Sequence, residues 1–89
     1  MPYQITFENS LAEAVVLEIR VGNEADCDAN QPLFNDQIDA GGNKVIQTDF
    51  NVVCYRRTAD PDNPGTMTDW DTFSPNNINT PAEIDIGLM

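Results

Sequence analysis

Two of the chain's four cations stand side by side in Tyr55-Arg56-Arg57, and its single tryptophan, Trp70, follows beyond an Asp- and Pro-rich stretch. Arg, Tyr and Trp dominate binding hot spots because each offers a large contact surface ending in a polar group. Tyr55, Arg56, Arg57 and Trp70 are therefore the candidate partner-binding residues. The competing role is internal, with Trp70 filling the core and one arginine pairing with nearby carboxylates or laying its stem on an aromatic ring.

A second group of residues offers hard oxygen ligands. Asp26, Asp28 and Asn30 occupy alternate positions, as the first ligands of a calcium loop do. The pattern then fails: Gln31 stands where the sharp turn needs Gly, Pro32 follows, and Gln37 replaces the closing bidentate Glu. Asp60 and Asp62 add carboxylates in another loop. No cofactor is expected, and weak calcium binding by Asp26, Asp28, Asn30, Asp60 and Asp62 is the alternative to plain solvated acidic loops. Asp69 and Asp71, two apart on an expected strand, share a face at about 6–7 Å. Paired carboxylates perform glycoside hydrolysis, but nothing marks either for a raised pKa, and a solvated strand face is the expectation.

Composition removes most other chemistry. With no histidine there is no Ser-His-Asp or Cys-His pair and no imidazole metal ligand. Gly41-Gly42-Asn43-Lys44 lacks the first Gly of a phosphate loop and has Val45 where Ser or Thr belongs. Fifteen acids against four cations give a net charge of −11. That argues against binding nucleic acid or an anionic membrane surface, both of which need Lys and Arg on phosphates. Self-repulsion at this charge is expected to cost stability at low salt.

Cys27 and Cys54 are too far apart for a CxxC motif and too few for a cysteine-only zinc site. As a disulfide they would close a loop of about 28 residues, worth roughly 3–4 kcal/mol on the chain-entropy model. As free thiols, Cys54 would be a small buried hydrophobe and Cys27 a loop residue. Both readings stay open at this point. The N-terminal residues show neither a basic n-region nor an apolar h-region, so no secretory signal is read. The longest uninterrupted apolar run, residues 14–17, is far short of the ~20 a membrane span needs. A cytoplasmic site or a place within an assembled particle is the default expectation, with release by a route needing no N-terminal signal left open.

The elements that must carry these residues repeat with period two. Tyr3, Ile5 and Phe7 alternate with polar neighbours, and Val15, Leu17, Ile19 and Val21 form the clearest strand. A helix competes there, because Ser10-Leu11-Ala12-Glu13 fits a capping box, but Glu18 would fall on its apolar face and Val and Ile favour a strand. Residues 32–39 and 44–49 read as a hairpin around Gly41-Gly42, and 51–55 as a central strand apolar on both faces. Two prolines and a glycine make 58–66 the longest loop. A strand around Trp70, a turn-rich link over 74–81 and an alternating segment over 84–88 complete the chain. Phe34, Phe50 and Phe73 are core candidates.

These readings give a single all-β domain over residues 1–89, a small β-sandwich or Greek-key barrel of about seven short strands with no secure helix. The expected function is that of a small acidic non-enzymatic interaction or assembly module, such as a structural or accessory component of a phage particle. It would bind a basic protein partner or a copy of itself through loops or an edge strand, with residues 82–88 as a candidate edge. A nucleic-acid-mimicking inhibitor and a calcium- or carbohydrate-binding β-sandwich are the alternatives.

Overall fold

The computed structural model describes residues 2–23, 25–75 and 80–89. Among them the chain forms eight strands and two single-turn 3-10 helices. Strands β1 (Tyr3–Glu8), β4 (Asn43–Thr48) and β8 (Ala82–Asp85) form one sheet in the order β4-β1-β8. The β1–β4 pair is antiparallel and the β1–β8 pair parallel. The second sheet runs β3-β2-β5-β6, built from β2 (Val15–Val21), β3 (Pro32–Ile38), β5 (Val53–Asp60) and β6 (Asn63–Met67). Strand β7 (Asp71–Phe73) pairs with the first half of β5, on the side away from β2. The two sheets pack together as a β-sandwich.

The period-two pattern sets which side chains meet between the sheets. Ile5 and Phe7 from β1 face Leu17 and Ile19 from β2 and Val53 and Tyr55 from β5, all buried. The Phe7 and Tyr55 rings pack edge to face across the sandwich, centroids 5.3 Å apart, a geometry the ring quadrupoles favour. Residues 11–13 bend instead of coiling, so the capping box starts no helix. Among the described residues no helix is long and apolar enough to cross a membrane.

Several local expectations are corrected. The loop expected over 58–66 is instead the second half of β5, a tight turn at Pro61-Asp62, and β6. Pro64 is tolerated because β6 is an edge strand, where a missing N–H costs no ladder bond if it faces outward. Residues 39–42 do not close a hairpin: β3 pairs with β2 and β4 with β1, so this turn carries the chain from one sheet to the other. Gly41 adopts φ +72°, open to glycine without strain. Buried Asn9 holds the crossing in place. Its backbone exchanges bonds with Gly41 N–H and Gly42 C=O, both at 2.9 Å. Its side-chain amide donates to the carbonyls of Glu13, Ile38 and Asp39 at 2.9–3.2 Å.

At the other end, β7 begins only after Trp70, and the last alternating segment is strand for residues 82–85 before tightening into the 3-10 turn Ile86–Leu88. Ile86 is buried while Leu88 lies in solvent. Phe34 and Phe73 pack against the core as expected, but Phe50 is 45% exposed. The centre of the link over 74–81 lies outside the described residues.

Candidate functional site

Alternation along β5 sends the three consecutive residues Tyr55, Arg56 and Arg57 to opposite faces of the sheet. Cross-strand pairing sets Tyr55 against Ile19 and Arg57 against Leu17 on the core side, and Arg56 against Glu18 on the outer side. Tyr55 is buried, and its hydroxyl donates a weak 3.4 Å hydrogen bond to Asp71. Burial first, and then the neighbouring Asp71 charge, push its phenol up to about 12.

Arg57 is only 6% exposed. Its Nε donates to Ile86 C=O at 2.5 Å, Nη1 to Thr58 C=O at 2.6 Å and Nη2 to Met89 C=O at 3.2 Å. The guanidinium thus pins the 3-10 turn Ile86–Leu88 to the sheet. It also lines a shallow depression of about 210 Å³ together with Leu11, Ala12, Glu13, Ala59 and Pro61. Asp85 ties the same turn to the first bend: it accepts hydrogen bonds from Ser10 and from Gly87 N–H, which hold its carboxyl below the usual range.

The outer face of the five-stranded sheet carries a connected ionic network. Glu18, 6% exposed, takes Arg56 Nε on one oxygen at 2.8 Å and Arg20 on the other, Nε at 3.0 Å and Nη2 at 2.9 Å. Burial alone would raise this carboxyl, but the hydrogen bonds and charges of Arg56 and Arg20 outweigh it, so it lies below its ordinary value. The Arg56 guanidinium lies over the Trp70 ring, 4.3 Å from its centroid, and the indole N–H donates to Asp28 at 3.1 Å. Arg20 closes the circuit, donating from Nη1 to the carbonyls of Asp28 and Asn30 at 3.2 and 3.0 Å.

The loop bearing Asp28 is laid across this face by local features. Gly22, at φ +102°, turns the chain out of β2 where the Asn30 side chain leaves no room for a Cβ. Cys27, in the 3-10 turn Cys27–Ala29, and Cys54, on the outer side of β5, are both buried and stand at disulfide distance, with Cα atoms 6.3 Å apart. The bridge anchors the loop to the central strand.

Of the four candidate partner-binding residues, the structure brings Arg56 and Trp70 together on an accessible face and places Tyr55 and Arg57 inside. The calcium candidates separate: Asp26, Asp28 and Asn30 lie beside the start of β5, and Asp60 and Asp62 at its far end, about 20 Å along the strand. Asp28 is engaged by Trp70, and Asp60 accepts the Asp62 N–H at 3.0 Å in a local turn. Among the described residues no group of three or more His, Cys, Asp or Glu could hold a metal ion. Asp69 lies outside β7 and Asp71 inside it, on the Tyr55 side, so they do not form the expected strand pair. Glu18 and Arg20 belong to no motif, but their i, i+2 spacing on a strand signals that they share a face.

No protein-family model, curated protein or solved structure matches this chain.

Proposed function

We propose that this chain is a small acidic, non-enzymatic interaction module that docks a basic protein surface through complementary potential. The supporting observation is where the cations go. Arg57 is spent on backbone carbonyls, and Arg20 and Arg56 clamp Glu18 and the Asp28 loop. Among the described residues Lys44 is the one cation left exposed, whereas every aspartate other than Asp85 is exposed. The −11 charge is therefore carried on the outside almost without relief. Acids spread over loops on a rigid sandwich suit a broad basic face and steer its approach.

The test is a titration of the labelled protein with a lysine-rich peptide, followed by amide chemical shifts at about 0.15 M salt, where the Debye length is about 8 Å. Saturable shifts confined to one face, absent with a Gly/Ser peptide of equal length, support the reading. No shifts, or shifts spread evenly over the surface, overturn it.

A further inference from the structure

A sandwich leaves sheet edges open, and proteins blunt such edges to prevent pairing with other chains. The edges here differ in how well they are blunted. Strand β3 begins at Pro32, carries Asp36 on its core-facing side, and breaks register where it meets Ile19 and Arg20. Strand β6 contains Pro64 and a register shift against β5, and β7 has three residues. Strand β8 has four, two of them acidic, and twists away into a 3-10 turn.

Strand β4 has only one of these protections, the inward-facing charge of Lys44 at its start, and lacks the proline, register shift and 3-10 end that blunt the others. Its six residues, Asn43-Lys44-Val45-Ile46-Gln47-Thr48, pair with β1 in unbroken register. Among the described residues its backbone bonds to nothing on the opposite side. It contains no proline, glycine or acid, although acids are scattered over the rest of the chain. Its one charge, Lys44, lies near the start of the strand and reaches toward the facing sheet, its ammonium 5.4 Å from the Phe34 ring centroid. Val45, 46% exposed, and Phe50 just beyond the strand are two of the three large hydrophobic side chains exposed among the described residues.

From this contrast we infer that β4 is a self-pairing edge, and that its occupant is the β4 strand of a second copy. Two chains of charge −11 repel over most of their surfaces, and the acid-free edge is where they approach at least cost. Antiparallel pairing about a two-fold axis keeps each residue on its own face of the joined sheet. Centred on Val45, it sets Val45 against its counterpart and Asn43 against Gln47, joining two three-stranded sheets into one of six. A contact made by one strand about 20 Å long buries less than the ~1,200 Å² of a standard stable interface, so the dimer is weak and concentration-dependent. The inference rests on the reading of the chain as an interaction module, but a basic partner would use the acidic surface instead, and the two fail separately.

The experiment is light scattering from about 10 μM to about 1 mM protein, at low salt and at about 0.5 M salt, on the wild type and on Val45→Glu. The exposed site tolerates the glutamate in the monomer, while pairing would set two carboxylates opposite each other. The expected result is a rise toward twice the monomer mass at high concentration, stronger at high salt, and lost in Val45→Glu. Equal melting temperatures for the two proteins show that the loss is not unfolding. A wild type that stays monomeric throughout, or a dimer that survives the substitution, overturns the proposal. The lysine-peptide titration is unaffected by either outcome.

Discussion

Replacing Cys27 and Cys54 together by alanine separates two contributions of the bridge. The first acts on the unfolded chain. For a closed loop of about 28 residues the chain-entropy relation gives about 3.6 kcal/mol at 25 °C, a large share of the 5–15 kcal/mol that stabilises a typical domain. The second would act on the folded state, by letting the Asp28 loop drift from the sheet. The structure argues that this second part is small. Arg20 still holds the carbonyls of Asp28 and Asn30, and Val21 N–H still bonds to Gln31 C=O at 3.0 Å. The folded variant should therefore keep the hydrogen bond from the Trp70 indole N–H to Asp28. The assay is urea unfolding followed by the fluorescence of Trp70, which is the chain's one tryptophan. The expected result is unchanged native emission, stability lower by about 3–4 kcal/mol, and a larger m-value from a more expanded unfolded state. The thermal midpoint should fall by about 15–25 °C. A loss under about 1 kcal/mol, or free thiols in the wild type by mass, refutes the entropic account. Native emission already shifted toward the unfolded value shows instead that the bridge, not Arg20, positions the loop.

Two other substitutions test the polar interior. Glu18→Gln removes the shared partner of Arg20 and Arg56; because the side chains of the two arginines remain 24% and 29% exposed, the discounted cost at neutral pH is about 1–2 kcal/mol. The folded pKa of Glu18 lies below its ordinary 4.5, so its contribution is present above that value and lost as pH falls through the folded pKa. Chemical denaturation from pH 7 to pH 3 should accordingly show a shallower acid decline in Glu18→Gln, and parallel profiles would contradict the pairing. Asn9→Ala removes the amide donor to the carbonyls of Glu13, Ile38 and Asp39, the last of which keeps its 2.8 Å bond from Gly42 N–H, and the acceptor of the Leu11 N–H, which donates to Asn9 at 3.0 Å. Urea unfolding should register about 2–3 kcal/mol, and a change below about 0.5 kcal/mol would mean water replaces the amide without penalty.

Much of this architecture is legible in the sequence because burial on one face imposes a period of two, and Ile5, Phe7, Leu17, Ile19 and Val53 all obey it. What escaped was decided by non-local partners. Gly41-Gly42 permits a tight turn, but whether that turn closes a hairpin or passes between sheets depends on whether Lys44 and Ile46 find β3 or β1. They find β1, with Asn9 fixing the crossing from 30 residues away. Pro64 and Gly65 look like loop residues until β6 is seen to lie at an edge. At the candidate site, Tyr55-Arg56-Arg57 looked like one recognition spot because its residues are adjacent, yet adjacency on a strand sends neighbours to opposite faces. The stack of Arg56 on Trp70 required knowing that β5 pairs with β7, which spacing alone does not give.

The internal use of arginine gives the two proposed contacts opposite responses to salt. A chain with so few cations could have scattered them to dilute surface repulsion. Here Arg20 and Arg56 secure a loop and Arg57 secures a terminal turn, so the acids outside face solvent largely unopposed. Attraction for a basic partner is screened as ionic strength rises, because the Debye length contracts from about 30 Å at 0.01 M to about 3 Å at 1 M. The same screening removes the repulsion that opposes pairing of two β4 edges, whose own contact is backbone hydrogen bonding and apolar packing of Val45. A single salt series on the wild type should therefore weaken capture of the lysine-rich peptide while strengthening self-association. Both contacts weakening together would place the self-contact on charged groups instead of on the acid-free edge, and both strengthening would show that peptide binding is not driven by the acidic surface.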